Sequence, residues 1–180
     1  IASIETLNIY LDDANCSELT KLVAGIKNMI IKHKVGLVII DYLQLIRHTA
    51  KGMNKADIVA EIANTLKSVA RFANVPIILL SQLSRDSQNP KPTLPRLKGS
   101  GDIENAADIV WFTYLPEKYG YGEVSINFTS YETKGLAYHI IAKGRNYGLT
   151  EFALSWNETY GLLTDYQAKI DFNNNEPIPF

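Results

Sequence analysis

Apolar and polar positions along this chain fall into two rhythms. Residues 35–46 read Val-Gly-Leu-Val-Ile-Ile-Asp-Tyr-Leu-Gln-Leu-Ile, an apolar run that breaks off at Asp41. A run without polar alternation and rich in β-branched residues predicts a strand buried on both faces. Residues 76–80 predict a second such strand, ending at Ser81-Gln82, and residues 109–115 a third. The other rhythm is helical. Leu19, Leu22, Val23, Ile26 and Ile30 predict a helix from a cap at Ser17 to about His33, slightly weakened by Gly25. Ile58, Ile62, Leu66, Val69 and Ala73 predict another, capped by Asn54, with Asp57 in its first turn, and stopped by Asn74 and Pro76. Residues 7–11 alternate nearly strictly and predict a short strand before Asp12-Asp13. Residues 102–107 predict a helical turn. Residues 119–130 and 136–142 predict β structure, and residues 152–156 and 161–164 a closing hairpin.

The order β-helix-β-helix-β calls for right-handed crossovers and a parallel core sheet covered by helices. With the antiparallel extension at its carboxyl end, this is an α/β fold. No internal repeat stands out, so one domain is expected over residues 1–170. A loosely ordered tail is expected over 171–180, where the polar run Asn173-Asn174-Asn175 is followed by two prolines. Residues 47–53 read as a mobile loop. Residues 83–101 differ in kind: they hold Pro90, Pro92, Pro95, Gly99 and Gly101 and few apolar residues. Arg85, Lys91, Arg96 and Lys98 against Asp86 make this loop locally basic. Loops of this length are usually functional or disordered, and residues 84–99 are expected to be mobile.

Composition narrows the function classes. A chain of 180 residues, 46% hydrophobic and 21% charged, can bury a proper core. No stretch approaches the roughly 20 apolar residues of a membrane span, and the first residues do not read as a signal peptide. Cys16 is the single cysteine, so no internal disulfide forms; this fits a reducing compartment, and a cytoplasmic location is expected. A net charge of −1 provides no global field for nucleic acid, so binding of that kind needs a local patch. The sequence opens on Ile1 and not on Met, which leaves two readings open: a piece of a longer polypeptide, or a natural truncation.

Two groups of residues could carry chemistry. Asp41 and Ser81-Gln82 close two strands at comparable points. If the strands are neighbours, a carboxylate able to hold hydrated Mg²⁺ and an amide able to sense a phosphate share one cleft. Taken singly, Asp41 is more commonly a capping or turn residue, and Gln82 a solvated strand end. Lys143 and Arg145 flank Gly144 at another strand end; two residues apart, they point to one side and suit phosphate charge. A solvated edge or a salt-bridged pair is an equal reading. No Gly-x-x-x-x-Gly-Lys-Ser/Thr occurs in the 180 residues. Glu5 and Asp12 are the nearest carboxylates upstream of Asp41, and neither is a supported water-activating base. One Cys and the scattered His33, His48 and His139 make no metal set.

Together these segments resemble the replicative DNA helicases of the DnaB type. Ile40-Asp41-Tyr42-Leu43-Gln44-Leu45-Ile46 resembles their Walker B segment. Asn74-Val75-Pro76-Ile77-Ile78-Leu79-Leu80-Ser81-Gln82-Leu83-Ser84-Arg85 is similar to the next motif. Ser100-Gly101-Asp102-Ile103-Glu104-Asn105-Ala106-Ala107-Asp108 resembles the segment after the DNA-facing loop, and Ile141-Ala142-Lys143-Gly144-Arg145-Asn146 the basic-finger strand. The resemblance covers roughly residues 7 to 165. It implies a RecA-like P-loop NTPase core, truncated on its amino-terminal side, that works with ATP and Mg²⁺ as a hexameric homo-oligomeric ring on single-stranded DNA. By that resemblance Asp41 positions Mg²⁺ and Gln82 couples the γ-phosphate to the DNA loop. Lys143 and Arg145 reach the neighbouring subunit's nucleotide, and the loop carrying Arg96, Lys98, Gly99 and Gly101 contacts DNA phosphates. Lys98-Gly99 stand where the family usually has Arg-Glu, and Tyr147 where a Gly is usual. The upstream phosphate loop and catalytic carboxylate of the family have no counterpart here, so the chain by itself is expected to be inactive. Two alternatives keep the fold: a degenerate RecA-like module for assembly or DNA binding, and another RecA-type recombination ATPase.

Overall fold

The computed structural model describes residues 7–13, 18–48, 52–84, 89–97 and 100–166. Ser17, Lys98, Gly99 and the tail over 171–180 lie outside the described residues. The chain forms two compact units, residues 1–84 with 95–107, and residues 85–94 with 108–180.

The first unit is built on two amphipathic helices. The α1 helix (Leu19–His33) follows Glu18, whose side chain does not cap it, and ends at Lys34 in the left-handed conformation. The α2 helix (Lys55–Ala73) begins at the expected Asn54. That side chain accepts from the Asp57 backbone N–H at 2.9 Å and donates back to the Asp57 carboxylate at 2.7 Å. Such a reciprocal cap satisfies an orphan amide of the first turn, and its loss typically costs ~1 kcal/mol. Asn74, also left-handed, closes α2 by donating its N–H to Ala70 and Arg71 carbonyls. The apolar stripes of both helices meet strand β1 (Val38–Ile40) and strand β2 (Ile77–Leu79) in one core of Leu19, Ile26, Ile40, Ile46, Ile62, Leu66 and Val69. Full burial of an Ile or Leu contributes roughly 1.5–3 kcal/mol each, so these stripes hold the unit together. A short α3 helix (Ser100–Ala106) buries Ile103 and Ala106 and packs on α2.

Strands β1 and β2 pair in parallel, Val38 with Ile77, Ile39 with Ile78 and Ile40 with Leu79. They are shorter than the apolar runs suggested, and they are not buried on both faces. Ile39 is 61% exposed and its partner Ile78 46%, so the helices cover one face only. Residues 7–13 form no strand. Their backbone closes a local bond from Ile9 N–H to Leu7 O, and the Tyr10 ring centroid lies 4.2 Å from that of His33.

The second unit is antiparallel. Strand β3 (Ile109–Tyr114) alternates exposed and buried residues and pairs antiparallel with β6 (Leu136–Gly144) instead of extending the parallel pair. The four-stranded order is β3-β6-β7-β8, with β7 (Thr150–Asn157) and β8 (Leu162–Asp165) forming the expected closing hairpin. Strands β4 (Glu123–Ile126) and β5 (Thr129–Glu132) make a separate hairpin. Its Asn127-Phe128 turn has positive φ at both residues, the twist that a two-residue hairpin requires. The strand covered on both faces is β6, whose residues 136–140 are all buried, including Tyr138 and His139.

Candidate functional site

Asp41 follows the last residue of β1 and Gln82 lies just past the end of β2, so the parallel register brings both to one edge of the first unit. Backbone pairing continues beyond the strands. Leu80 N–H donates to Ile40 O at 3.0 Å, and Leu43 N–H donates to Leu80 O at 2.9 Å. The chain leaves β1 through a cis Asp41–Tyr42 peptide into a single 3-10 turn over Leu43–Leu45. Leu43 anchors that turn in the interior at 1% exposure. Asp41 itself is exposed, and among the described residues its carboxylate has no ion-pair or hydrogen-bond partner.

Gln44, on the same turn, reaches across to β2. Its Nε2 donates to Ser81 Oγ at 3.0 Å and to Gln82 O at 3.4 Å, and its Oε1 accepts from Gln82 N–H at 3.2 Å. Sequence reasoning gave Gln44 no role. The available signal was a polar residue interrupting the apolar Tyr42-Leu43-Gln44-Leu45-Ile46 run.

The fit of a magnesium–nucleotide pair can be judged from these donors. Mg²⁺ keeps most of its water and is typically held by one or two carboxylates together with phosphate oxygens. An exposed, unpaired Asp41 fits that mode, and among the described residues no group of three or more His, Cys, Asp or Glu offers a protein-only cage.

Lys143 and Arg145 belong to the second unit. Lys143 is the penultimate residue of β6, and Arg145 is the first beyond it. The Arg145 N–H donates to Asp108 O at 2.8 Å, and its Nε lies 3.6 Å from the Asp108 carboxylate, both side chains about half exposed. Exposed pairs of this kind contribute about 0–1 kcal/mol, so this ion pair by itself adds little to stability. The room at Gly144 serves the turn itself. A Cβ there would stand 2.7 Å from the Tyr147 carbonyl oxygen, which folds back over position 144.

Of the segment expected to be mobile, residues 84 and 89–97 are described, and these make more contacts than their composition suggests. Pro90, Pro92 and Leu97 are buried, because proline rings are apolar and pack well. Leu83 and Leu97 form an antiparallel bridge, and Ser84 donates both its N–H (3.0 Å) and its hydroxyl (2.9 Å) to Arg96 O. Arg96 returns Nε at 3.2 Å and Nη2 at 2.9 Å to Ser84 O. Its guanidinium therefore locks the base of the loop. Gly101, in the first turn of α3, faces open space.

Lys91 does not add to a free basic patch. Its Nζ donates to Tyr138 Oη at 2.8 Å and to Glu151 Oε1 at 3.3 Å, and the Tyr138 hydroxyl donates to Glu151 Oε2. Burial pushes the Lys91 ammonium down, but the bonds to Tyr138 and Glu151 outweigh it and hold its pKa above the ordinary lysine value.

An α/β unit with a carboxylate and an amide at the carboxyl ends of paired parallel strands has the arrangement by which open α/β folds bind ligands, and its structural neighbours place the fold in the RecA-like class. The family model described as "DnaB-like helicase C terminal domain" matches residues 1–165, and the chain belongs to that family. It is 39% identical over 120 residues to the replicative DNA helicase DnaB of Rickettsia prowazekii (strain Madrid E), covering 65% of this chain and 25% of that protein. To the replicative DNA helicase DnaC of Bacillus subtilis (strain 168) it is 32% identical over 175 residues, 95% of this chain and 37% of that one. The chain thus spans between a quarter and somewhat over a third of the length of these relatives. A solved ATPase-domain structure superposes with a TM-score of 0.71 at 29% identity, over 83% of this chain and 52% of that one. A DnaB-like replicative helicase, solved for its interactions with primase, superposes at 0.69 and 29% identity, over 83% of this chain and 35% of that one.

Proposed function

We propose that this chain forms part of a replicative DNA helicase that couples ATP hydrolysis to movement along single-stranded DNA and to duplex unwinding. The observation that carries the reading is that an exposed Asp41 and Gln82 come to one edge of a parallel pair, in a member of the DnaB-like family. In this reading Asp41 holds the hydration shell of Mg²⁺, which spreads and neutralises phosphate charge when bound with ATP. The Gln82 amide reads the γ-phosphate, and its position past the end of β2, at the head of residues 83–101, passes that state to the DNA-facing loop. Lys98, Gly99 and Gly101, with Arg96 at the anchored base, contact DNA phosphates largely without regard to sequence. Lys143 and Arg145 act on the nucleotide of an adjacent subunit in a hexameric ring. The half exposure of the Arg145 side chain supports this role, since a guanidinium at the surface is within reach of a phosphate.

The test uses the full-length protein. It should show ATP turnover stimulated by single-stranded DNA and should separate a forked duplex. Asp41→Ala should lower turnover by about two orders of magnitude with an unchanged circular-dichroism spectrum. Turnover that survives in Asp41→Ala, or no DNA stimulation in the parent, would overturn the reading.

A further inference from the structure

The ladder between β1 and β2 outlasts β1. It continues through Leu80 N–H to Ile40 O and Leu43 N–H to Leu80 O. Beyond these, among the described residues, no backbone bond joins the departing chain to Gln82. The Gln44 side-chain amide takes that place. Its Oε1 accepts from Gln82 N–H at 3.2 Å while its Nε2 faces Gln82 O at 3.4 Å and Ser81 Oγ at 3.0 Å. A primary amide carries one acceptor and two donor hydrogens, so it can present the same donor–acceptor pair as a neighbouring strand. We propose that Gln44 is a positioning residue: it acts as a surrogate rung that fixes the backbone of Gln82 relative to the Asp41 turn, and through it the direction of the Gln82 side chain.

This rests on the helicase reading for its catalytic consequence, not for its geometry. Asp41 and Gln44 sit on one short turn pinned by buried Leu43, and Gln82 is joined to that turn by side-chain bonds instead of strand pairing. A catalytic group displaced by about 1 Å can lose ~10²-fold in rate. The bonds themselves are exposed, and exposed hydrogen bonds add little net stability. Gln44 should therefore govern rate far more than folding. A carboxylate at this position keeps the acceptor for Gln82 N–H but loses the donor for Ser81 and Gln82 O, so it separates the two halves of the rung.

The experiment compares Gln44→Leu, Gln44→Glu, Gln82→Ala and the Gln44→Leu/Gln82→Ala double variant in the full-length protein. Two readouts are used: steady-state ATP hydrolysis with single-stranded DNA, and backbone amide exchange at Gln82. Gln44→Leu should lower kcat about 10-fold or more with KM for ATP within about twofold, and Gln82 N–H should exchange about 10-fold faster. Gln44→Glu should fall between. In the Gln82→Ala background, Gln44→Leu should cost nothing further, because a residue acting through another is non-additive with it. Additive losses, an unchanged kcat, or unchanged exchange at Gln82 would each overturn the assignment. A parent protein without ATP turnover would instead count against the helicase reading, and the exchange measurement alone would then decide the role of Gln44.

Discussion

At the scale of single residues, His139 shows how a polar side chain is accommodated in the interior and what that costs. It is 1% exposed on β6, stacked on Phe152 with ring centroids 5.2 Å apart. Trp111 Nε1–H donates to its Nδ1 at 2.9 Å, so Nδ1 is the bare nitrogen and Nε2 carries the proton. Among the described residues that buried Nε2 has no partner. Protonation would add a charge without solvent and would remove the acceptor that Trp111 uses. Burial accordingly pushes the His139 pKa below its ordinary value of 6.5. Because the folded pKa is the lower one, the unfolded chain takes up more protons once the pH falls to about 6.5. Stability from this site is present above that pH and is lost as the pH drops toward the folded value. Urea midpoints should fall between pH 7 and pH 5 in the parent, and fall less in His139→Gln, which keeps an acceptor for Trp111 but has no titrating ring. Equal pH slopes in the two proteins would show that His139 does not carry the effect.

At the scale of elements, the base of the 84–97 loop is a two-way clamp, and it predicts a measurable change. Arg96→Ala removes both guanidinium bonds to Ser84 O, and Arg96→Lys cannot restore a fork that needs two donors in one plane. Limited proteolysis within residues 84–97 should speed up by about tenfold or more in both variants, since hydrogen bonds from charged groups are worth ~1.5–3 kcal/mol. Unchanged cleavage would mean that buried Pro90, Pro92 and Leu97 hold the loop without help. This loop also marks where the sequence is a poor guide. Helices α1 and α2 were legible because their apolar stripes repeat at helical spacing, and Asn54, Asp57 and Asn74 are local signals that need no tertiary information. That Asp41 and Gln82 follow two strands was legible from the apolar runs that end at them. Burial was not: a run such as Leu37-Val38-Ile39-Ile40 states that both faces are apolar, not that both are covered. In β6 the reverse holds, because Tyr138 and His139 look polar in sequence yet are buried through partners on β3, β7 and residue 91. Pairing of Lys91 with Glu151, or of Arg96 with Ser84, depends on distant segments and leaves no trace in charge counting.

At the scale of the whole molecule, the basic residues at the end of β6 separate two assemblies of the same chain. In the ring proposed above, one kind of interface would be heterologous, so an Arg145 that acts in trans must meet the Asp41 edge of a neighbouring subunit and not its own. In the full-length protein, Arg145→Ala should lower ATP turnover by ~10³-fold or more while nucleotide binding persists. Mixed rings of Arg145→Ala and Asp41→Ala subunits should regain part of the lost activity, because some interfaces then combine an intact Arg145 with an intact Asp41. Mixed rings with no recovered turnover would leave Arg145 as the structural partner of Asp108. The open face of the parallel pair bears on how such material behaves in a tube. Leu37, Ile39, Ile78 and Leu80 are 47%, 61%, 46% and 44% exposed, in or beside two adjacent strands, and the chain's net charge is −1. Little repulsion then opposes sticking through that strip. Colloidal stability of the 180-residue chain should worsen as sulfate or phosphate is added, since those salts strengthen apolar association, whereas clumping driven by surface charges would be relieved by the same salts.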